Sequence, residues 1–590
     1  MLHLNTTAVF LGPNTFSDEP VVVVELTAAE ALLQDSPRRI EKLSAASSRW
    51  FQFKAKSSDS TLITLAEFIA QWAHALLNHG SGEIVTARTL SDNPSNVKIV
   101  LGHYHPQPTL QALRLAMQVF ADSDKLDTGN LEKICQNFRQ SCQAFHPDFQ
   151  AKILIDYAEK NQIPVRPYMI GTRSWQYGWG ARAVTLFESS NMQDSAIGAR
   201  WSSDKMLSKQ LFARLGAPTA PSVIVTKEDE LLQAASVIGF PCVTKPLDRS
   251  RSIGVTTNLK SQSDLINGFR VARQQSQSGI MVEKHFEGEV HRVMVMQGKF
   301  WRVVRRNRPS VTGDGRLSVL QLTENLAKQF RATKKASDFL GPAPIDAEFH
   351  QCLLEQGLNA DHVPAVGDKV RIRNIPLLAS GANYEDVTAL THPDVRRISE
   401  ALAHNFGISN CGLDYITDDI AQSCFGHGIF LEINLTPGLR VPLMAGIGLD
   451  EIGRAVLGEK PASIPLTLVV APKEDFPDLI PAKPETPETG WITGQRCGIG
   501  NMEFSEPTAN SFAAFDLIVR HKSVEKIWVL IDPSEIIRNG LFSNQISQTF
   551  VLANSNMDAS WIDVLKKHSA KFEIVQAVSQ LATMDGSCKK

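Results

Sequence analysis

Within the run GIFLEIN, residues 428–434, an acid and an amide interrupt an apolar stretch that reads as a buried strand. Alternation along a strand puts Glu432 and Asn434 on one face, about 7 Å apart, and Ile429, Leu431 and Ile433 on the other. The earlier run CGLDYIT, residues 411–417, carries Asp414 among apolar neighbours in the same manner. If the two strands pair antiparallel, Asp414 faces Glu432. Two buried carboxylates raise each other's pKa unless a cation lies between them. Two carboxylates and an amide oxygen form a hard oxygen set, suited to Mg²⁺ held together with nucleotide phosphates. Taken alone, the stretch reads equally well as a polar edge strand with solvated side chains.

Cationic side chains supply the complementary charge. Lys245 ends the strand-like run FPCVTKPL, where a buried ammonium is costly unless it meets an anion. The loop DRSRSIGV follows, with Ser250, Ser252 and Gly254; its backbone N–H groups and arginines suit phosphates. Lys205 opens the helical run DKMLSKQLFARLG and adds a second positive point, although a lone lysine there is more often simply solvated. The run MVEKHFEGEVHRVMV places Glu283 near a strand end, with Lys284 and Phe286 just beyond, a segment able to offer a donor and an acceptor to a purine edge. Glu289 then follows a glycine turn and can reach ribose hydroxyls, and Arg292 returns along the next strand. Singly, Glu283 and Glu289 are more often surface acids.

The elements that must carry these residues are legible from periodicity. Residues 1–165 read as an N-terminal α/β domain, with VVVVEL and VKIVLGHY as strands. LITLAEFIAQWAHALLNHG reads as a helix closed by Gly80, and LQALRLAMQVFAD and AKILIDYAEKNQIP as further helices. Residues 166–470 hold the chemistry. In that block VHRVMVMQGKFWRVVRRN reads as a hairpin about residues 297–299, and HPDVRRISEALAHNFG as a helix. Residues 471–489 are rich in Pro and Glu and read as a linker; 490–590 form a small α/β piece with strands KIWVLID and TFVLAN.

Composition sets the outer bounds. A chain of 590 residues implies two to four domains. The net charge of −2 argues against bulk electrostatic binding to nucleic acid or a membrane surface. The eight cysteines form no C-x-x-C pair and read as reduced thiols in a cytoplasmic protein. The first residues lack the pattern of a signal peptide, and no apolar run is long enough to span a bilayer.

Lysine, lysine with a phosphate loop, a Glu-ended strand, then Asp and Glu-x-Asn is the chain order of an ATP-grasp unit. The chain resembles the cyanophycin synthetase family. The segments that carry the resemblance are SDKMLSKQLFARLGAPTAPSVIV, GFPCVTKPLD, MVEKHFEGEVHRVMVMQGK, TGDG, THPDVRRI, CGLDYITDDI and LEINLTPGLR, the run from Glu432 to Arg440 being the most specific. The likeness covers most of residues 150–455 and is weak before them. It implies an α/β multidomain fold with a central ATP-grasp domain. It implies an amide ligase that uses ATP to make an acyl phosphate, which an amine then displaces. By that resemblance Lys205 and Lys245 hold phosphates, Glu283 and the backbone near Phe286 hold adenine, and Asp414, Glu432 and Asn434 hold two Mg²⁺. Arg292, Arg373 and Arg440 are candidates for the substrate carboxylate or acyl phosphate, since a guanidinium fork suits both.

Departures from the family pattern narrow the expectation. The chain has no G-x-x-x-x-G-K-[ST] phosphate loop, so residues 490–590 read as a truncated Mur-ligase-like remnant. Where some relatives carry an H-x-x-E-H helix, this chain has Thr64, Glu67 and Phe68. Val290 stands at the usual ribose-binding acid, with Glu289 beside it as a substitute. The short form of the family has a single working site and joins β-aspartyl-arginine dipeptides into cyanophycin. The expectation is therefore a dimeric, cytoplasmic ligase of that kind, acting on β-Asp-Arg and the growing polymer. A ligase for another amino acid or dipeptide, or a catalytically weak accessory subunit, are the alternatives.

Overall fold

The computed structural model describes residues 2–48, 51, 53, 61–79, 84–93, 96–250, 253–332, 342–374, 383–458, 463–479 and 486–576. The chain folds as mixed α/β in two compact units: Met1–Glu188 together with Glu459–Lys590, and Ser189–Gly458. Among the described residues no helix is long and apolar enough to cross a membrane.

In the first unit an antiparallel sheet contains β1 (Leu2–Phe10), β2 (Val21–Ala28), β3 (Ala87–Asn93) and β4 (Asn96–Gly102), in the order β1-β2-β4-β3. Helices α1 (Leu62–His79) and α2 (Pro106–Ala121) cover it. Gly80, the expected cap of α1, lies outside the described residues. The valine run of β2 is buried on both faces. Val22 and Val24 pack with Leu65, Phe68 and Trp72 of α1. Val21 and Val23 join a second core that includes Leu468 and Val529 from the C-terminal part of the chain. A strand covered on both sides needs no polar alternation, which is why four valines stand in a row. Thr64 and Phe68 are buried, and the Phe68 ring packs edge-on against Phe51 and Phe53.

Two antiparallel sheets of the second unit carry most of the candidate site residues. Helix α3 (Lys205–Arg214) is started by Asp204, whose Oδ1 accepts from the N–H groups of Met206 and Leu207 at 2.9 and 3.0 Å. The smaller sheet comprises β5 (Ser222–Val225), β6 (Cys242–Pro246), β7 (Thr256–Leu259) and β8 (Ile280–Lys284), in the order β7-β6-β8-β5. Helices α4 (Leu231–Ile238) and α5 (Gln262–Gln275) pack on one of its faces through Cys242, Ile280 and Val282. The larger sheet starts with the hairpin β9 (Glu289–Met296) and β10 (Lys299–Asn307), whose turn residues Gln297 and Gly298 both have positive φ. A small insertion follows, with β11 (Ser310–Thr312), α6 (Ala347–Leu354) and β12 (Lys369–Arg371). Then come β13 (Asn383–Asp386), helix α7 (Pro393–Phe406), β14 (Cys411–Thr417) and β15 (Gly428–Asn434). The sheet order is β13-β10-β9-β14-β15. Helix α8 (Arg440–Met444) follows directly.

The chain then returns to the first unit. Strands β16 (Leu466–Val470), β17 (Thr489–Thr493), β18 (Arg496–Ile499), β19 (Met502–Glu503), β20 (Lys526–Ile531), β21 (Gln548–Leu552) and β22 (Phe572–Val575) form one sheet. Its order is β19-β18-β17-β20-β16-β21-β22, and β17, β20, β16, β21 and β22 run parallel. This differs from the division into 1–165, 166–470, a linker at 471–489, and 490–590. Strand β16, assigned from sequence to the central block, lies inside the C-terminal sheet between β20 and β21. The N-terminal and C-terminal segments share a core instead of folding apart. Backbone bonds seal the join: the Leu11 N–H donates to the Asn539 carbonyl and the Leu541 N–H to the Pro13 carbonyl, each at 2.8 Å. Gly12 is required there, because a Cβ would stand 2.1 Å from the Leu541 carbonyl oxygen. Of the expected linker, residues 480–485 lie outside the described residues.

His103, His146 and His568 are buried in this unit. His103 Nε2 donates to the Phe10 carbonyl at 3.0 Å, and burial pushes its pKa down from 6.5 to about 4. Burial does the same to His146, also to about 4. His103 and His146 stay neutral when folded while the unfolded chain takes up a proton at each below pH 6.5. Stability is therefore full above that pH and falls as pH drops through the window from 6.5 to 4. The expected loss is on the order of 1–3 kcal/mol per histidine across that window. Thermal melts between pH 7.5 and 4.5 check this, and His103→Gln should flatten the slope.

Candidate active site

Strand register assembles the acidic face. Strands β14 and β15 are antiparallel with Asp414 opposite Glu432 and Gly412 opposite Asn434. On the other side of β14, Arg292 of β9 stands opposite Asp414. A bulge between Asp414 and Tyr415 shifts the pairing, so that Tyr415 faces Phe430 and Leu431 is the extra residue. The simple alternation expected for β15 is thereby corrected. Phe430 and Ile433 enter the core beneath the sheet, and Ile429 and Leu431 do not share that face. Asn434 Nδ2 donates to the Gly412 carbonyl and to Glu432 Oε1, each at 3.3 Å, leaving its amide oxygen as the end offered to a ligand.

Asp414 Oδ1 lies 3.1 Å from Arg292 Nη1 and 3.4 Å from Arg306 Nη2. Burial works to raise the Asp414 pKa, but the two guanidiniums outweigh it and hold the carboxyl below its ordinary value. Burial and the Asp414 charge together push Glu432 up, and the two carboxyls share a hydrogen bond. Arg292 also donates to the Gly412 carbonyl at 3.2 Å. Glycine is needed at 412, since a Cβ there would stand 2.8 Å from Arg292 Cδ.

The smaller sheet contributes the lysines. Val243 and Lys245 share the face of β6 opposite the helix-covered Cys242 and Thr244. Glu283 lies across from Val243 on β8. Its Oε2 is 2.9 Å from Lys245 Nζ and 3.0 Å from Lys209 Nζ. Burial opposes the charge on Glu283, yet Lys245 and Lys209 outweigh it and keep the pKa below the usual range. Lys205 Nζ donates to the carbonyls of Leu247 and Arg249, at 3.0 and 2.7 Å, at the base of the expected phosphate loop. Burial lowers the Lys205 pKa while the nearby Glu432 charge pulls it back. Lys245 acts in turn on both Asp414 and Glu432. The cations of one sheet and the acids of the other thus sit within electrostatic reach. Beside Lys205 opens a cavity of about 340 Å³ lined by Arg200, Asp204, Leu247 and Asp248.

The structure brings together Lys205, Lys245, Glu283, Arg292, Asp414, Glu432 and Asn434, and sorts the other candidates differently. Ser250 and Gly254 flank the loop after β6, whose Ser252 lies outside the described residues. Glu283 is turned to two lysines instead of a purine edge. Lys284 donates to the carbonyls of Gly239 and Phe240, at 3.3 and 2.6 Å, and so braces a turn. Phe286 lies in the half-buried segment between β8 and β9, and Glu289 begins β9 opposite Thr417. Arg440 opens α8, just beyond the acidic strand. Arg373 is the clear departure. Its guanidinium donates to the Pro344 carbonyl at 3.1 Å and Asp346 Oδ1 at 3.0 Å and pairs with Glu348, bracing the insertion at the start of α6. A fork that suits a substrate carboxylate suits two protein carboxylates equally well.

Sequence reasoning missed Lys209 and Arg306. Lys209 stands four residues after Lys205 on α3, hence on the same helical face, and that spacing is the signal that identifies it. Arg306 pairs with Val290 and reaches Asp414 diagonally, a contact no local pattern announces.

These residues fit Mg²⁺. Two carboxylates forced together in a dry setting gain from a divalent cation, and Asn434 adds an oxygen. Among the described residues no three His, Cys, Asp or Glu side chains gather as a complete ligand set, so phosphate oxygens are needed to fill the shell.

A cyanophycin synthetase from Nostoc sp. is 25% identical over 362 residues, 60% of this chain and 40% of the relative. Another, from Geminocystis herdmanii, is 29% identical over 300 residues, 50% of this chain and 34% of the relative. The chain is similar to cyanophycin synthetases. It spans less than half the length of these cyanophycin synthetases. No protein-family model matches it. Among solved structures, a bifunctional glutathione synthetase from Pasteurella multocida matches with TM-score 0.37 and 13% identity, over 70% of this chain and 77% of that one.

The acid pair makes a prediction at neutral pH without ligand. Glu432→Gln removes the like-charge conflict, so the melting temperature should stay level or rise, by up to about 1 kcal/mol of stability. The added stabilisation from Mg²⁺ with ATP should disappear. Differential scanning fluorimetry with and without Mg²⁺ and ATP reads both.

Proposed function

We propose that this protein is an ATP-dependent carboxylate–amine ligase, and that it joins β-aspartyl-arginine dipeptides into cyanophycin. The observation that carries the reading is the Asp414–Glu432–Asn434 face within electrostatic reach of Lys205 and Lys245. In the reaction a carboxylate oxygen attacks the γ-phosphorus of ATP and ADP departs. The amine nitrogen then attacks the acyl carbon, phosphate departs, and the nitrogen loses a proton, giving an amide, ADP and phosphate.

Each residue has a share in this. Lys245 and Lys205 bind phosphate oxygens and offset the charge that builds during transfer. Lys205 now holds two loop carbonyls and exchanges them for phosphate as the loop receives nucleotide. Asp414, Glu432 and Asn434 would hold Mg²⁺, two ions in the reading by resemblance, and the ion supplies charge neutralisation at the phosphates. Arg292 and Arg306 keep Asp414 ionised and ready to ligate. Arg440, which opens α8 after the acidic strand, would receive the substrate carboxylate.

The similarity to cyanophycin synthetases supports the choice of substrate. A cytoplasmic homodimer completes the reading. The test is incubation with ATP, Mg²⁺ and β-Asp-Arg, with and without a cyanophycin primer, following phosphate and insoluble product. Phosphate release and polymer growth with β-Asp-Arg are expected. Release only with other amino acids or dipeptides would reassign the substrate, and no release with any acceptor would leave an accessory subunit.

Glu432→Ala should lower phosphate release roughly a hundredfold or more with the fold retained by circular dichroism. A fully active Glu432→Ala would refute the metal assignment.

A further inference from the structure

Lys209 carries a feature that phosphate binding by Lys245 and Lys205 does not explain. It is a lysine with 4% of its side chain exposed, and its partner Glu283 is equally buried. Burying an ammonium is costly, and an exposed position one turn away would avoid the cost. The two partners also belong to different layers, a helix on the larger sheet and a strand of the smaller one. Helix α3 packs against the larger sheet through Phe212, whose ring meets Phe406 and Phe430 at 6.0 and 6.5 Å. Glu283 and Lys245 belong to the smaller sheet. Lys209 therefore crosses from one sheet to the other, and Thr219 Oγ1, accepting from Nζ at 2.9 Å, fixes its direction. Lys205, on the same face of α3, crosses in the same sense to the Leu247 and Arg249 carbonyls.

Charge counting gives the pair its meaning. One carboxylate oxygen serves two ammonium groups, at 3.0 and 2.9 Å. The three side chains together carry one net positive charge. Without Lys209, Glu283 and Lys245 would form a balanced pair, and Lys245 would be neutralised where an anion must bind. With Lys209 present, Glu283 has a second cation to balance and the cluster keeps one positive charge uncompensated.

The geometry points to Lys209 as a positioning residue for the nucleotide: it occupies Glu283 so that the Lys245 ammonium stays available to phosphate, and it ties the two sheets together at that point. This rests on the ligase reading and names a residue that the reading does not include. It acts through Glu283 and Lys245, with no contact to the nucleotide of its own.

The experiment measures ATP binding in the presence of Mg²⁺ by calorimetry on the full chain. Lys209→Met should weaken binding roughly tenfold or more, since one buried charge near the phosphates is lost. Lys209→Arg should bind close to wild type. The deciding variant is Lys209→Met with Glu283→Gln, which restores one net positive charge and should recover much of the affinity. A residue that merely packs predicts the opposite, with the double variant worse than either single one. If Lys209→Met does not fold, Lys209→Gln keeps a polar group toward Thr219 and Glu283 and should show the same loss. Wild-type affinity in Lys209→Met or Lys209→Gln, or no recovery in the double variant, would overturn the inference and leave the ligase reading intact. Absence of ATP binding by the wild-type protein would instead remove that reading, and this inference with it.

Discussion

Everything at the site depends on the register of one strand pair. Setting β14 against β15 with Asp414 opposite Glu432 places two carboxylates in a dry, shared space. Such a pair is unfavourable by itself. The fold sustains it through the aromatic packing underneath, where the tilted rings of Tyr415 and Phe430 meet at 4.7 Å and Phe430 meets Phe212 of α3. It also flanks Asp414 with two arginines. The result is an uneven pair, one carboxyl held ionised and the other pushed toward its protonated form. That imbalance is what a divalent cation with phosphates would resolve, and it explains why acids are kept where hydrophobic residues would pack more cheaply.

The second half of the chemistry belongs to a separate sheet, so the two must be held in relation. Helix α3 does this. Its apolar side is anchored under the larger sheet by Phe212, and its two lysines reach the smaller sheet and the loop after β6. Local sequence explains the helix itself: Asp204 caps it, and strong helix formers fill it. What makes it functional is that one face meets two different sheets. The C-terminal segment serves a different end. Its parallel sheet shares a core with the N-terminal strands, so the valine run of β2 can be apolar throughout.

Much of this was legible before any coordinates. The strands carrying Lys245, Glu283, Asp414 and Glu432 announce themselves through short apolar runs, and the hairpin at Gln297 and Gly298 through its turn residues. The pairing of Asp414 with Glu432 followed from the assumption of adjacent antiparallel strands, and the structure has that register. Three things were not legible. The bulge at Leu431 depends on how two strands twist together, so the faces of Ile429 and Leu431 were misread. Glu283 has the same local context whether it faces a purine or a lysine; only the approach of α3 decides. Arg373 has a fork that fits any carboxylate, and the nearest ones are Asp346 and Glu348 of its own insertion.

Sequence by itself determined the inventory: which residues can carry charge, which segments can hide apolar surface, and the order in which the acid and lysine strands occur. These are local properties, set by periodicity of two or 3.6 residues and by caps and turns. Tertiary structure alone decided the partners. Lys209 became buried, Glu283 became shared between two lysines, and β16 came to share a core with Val21 and Val23 at the other end of the chain. The reason is physical: an ion pair or a sheet edge is chosen by distance in space, and chain separation places almost no limit on that choice.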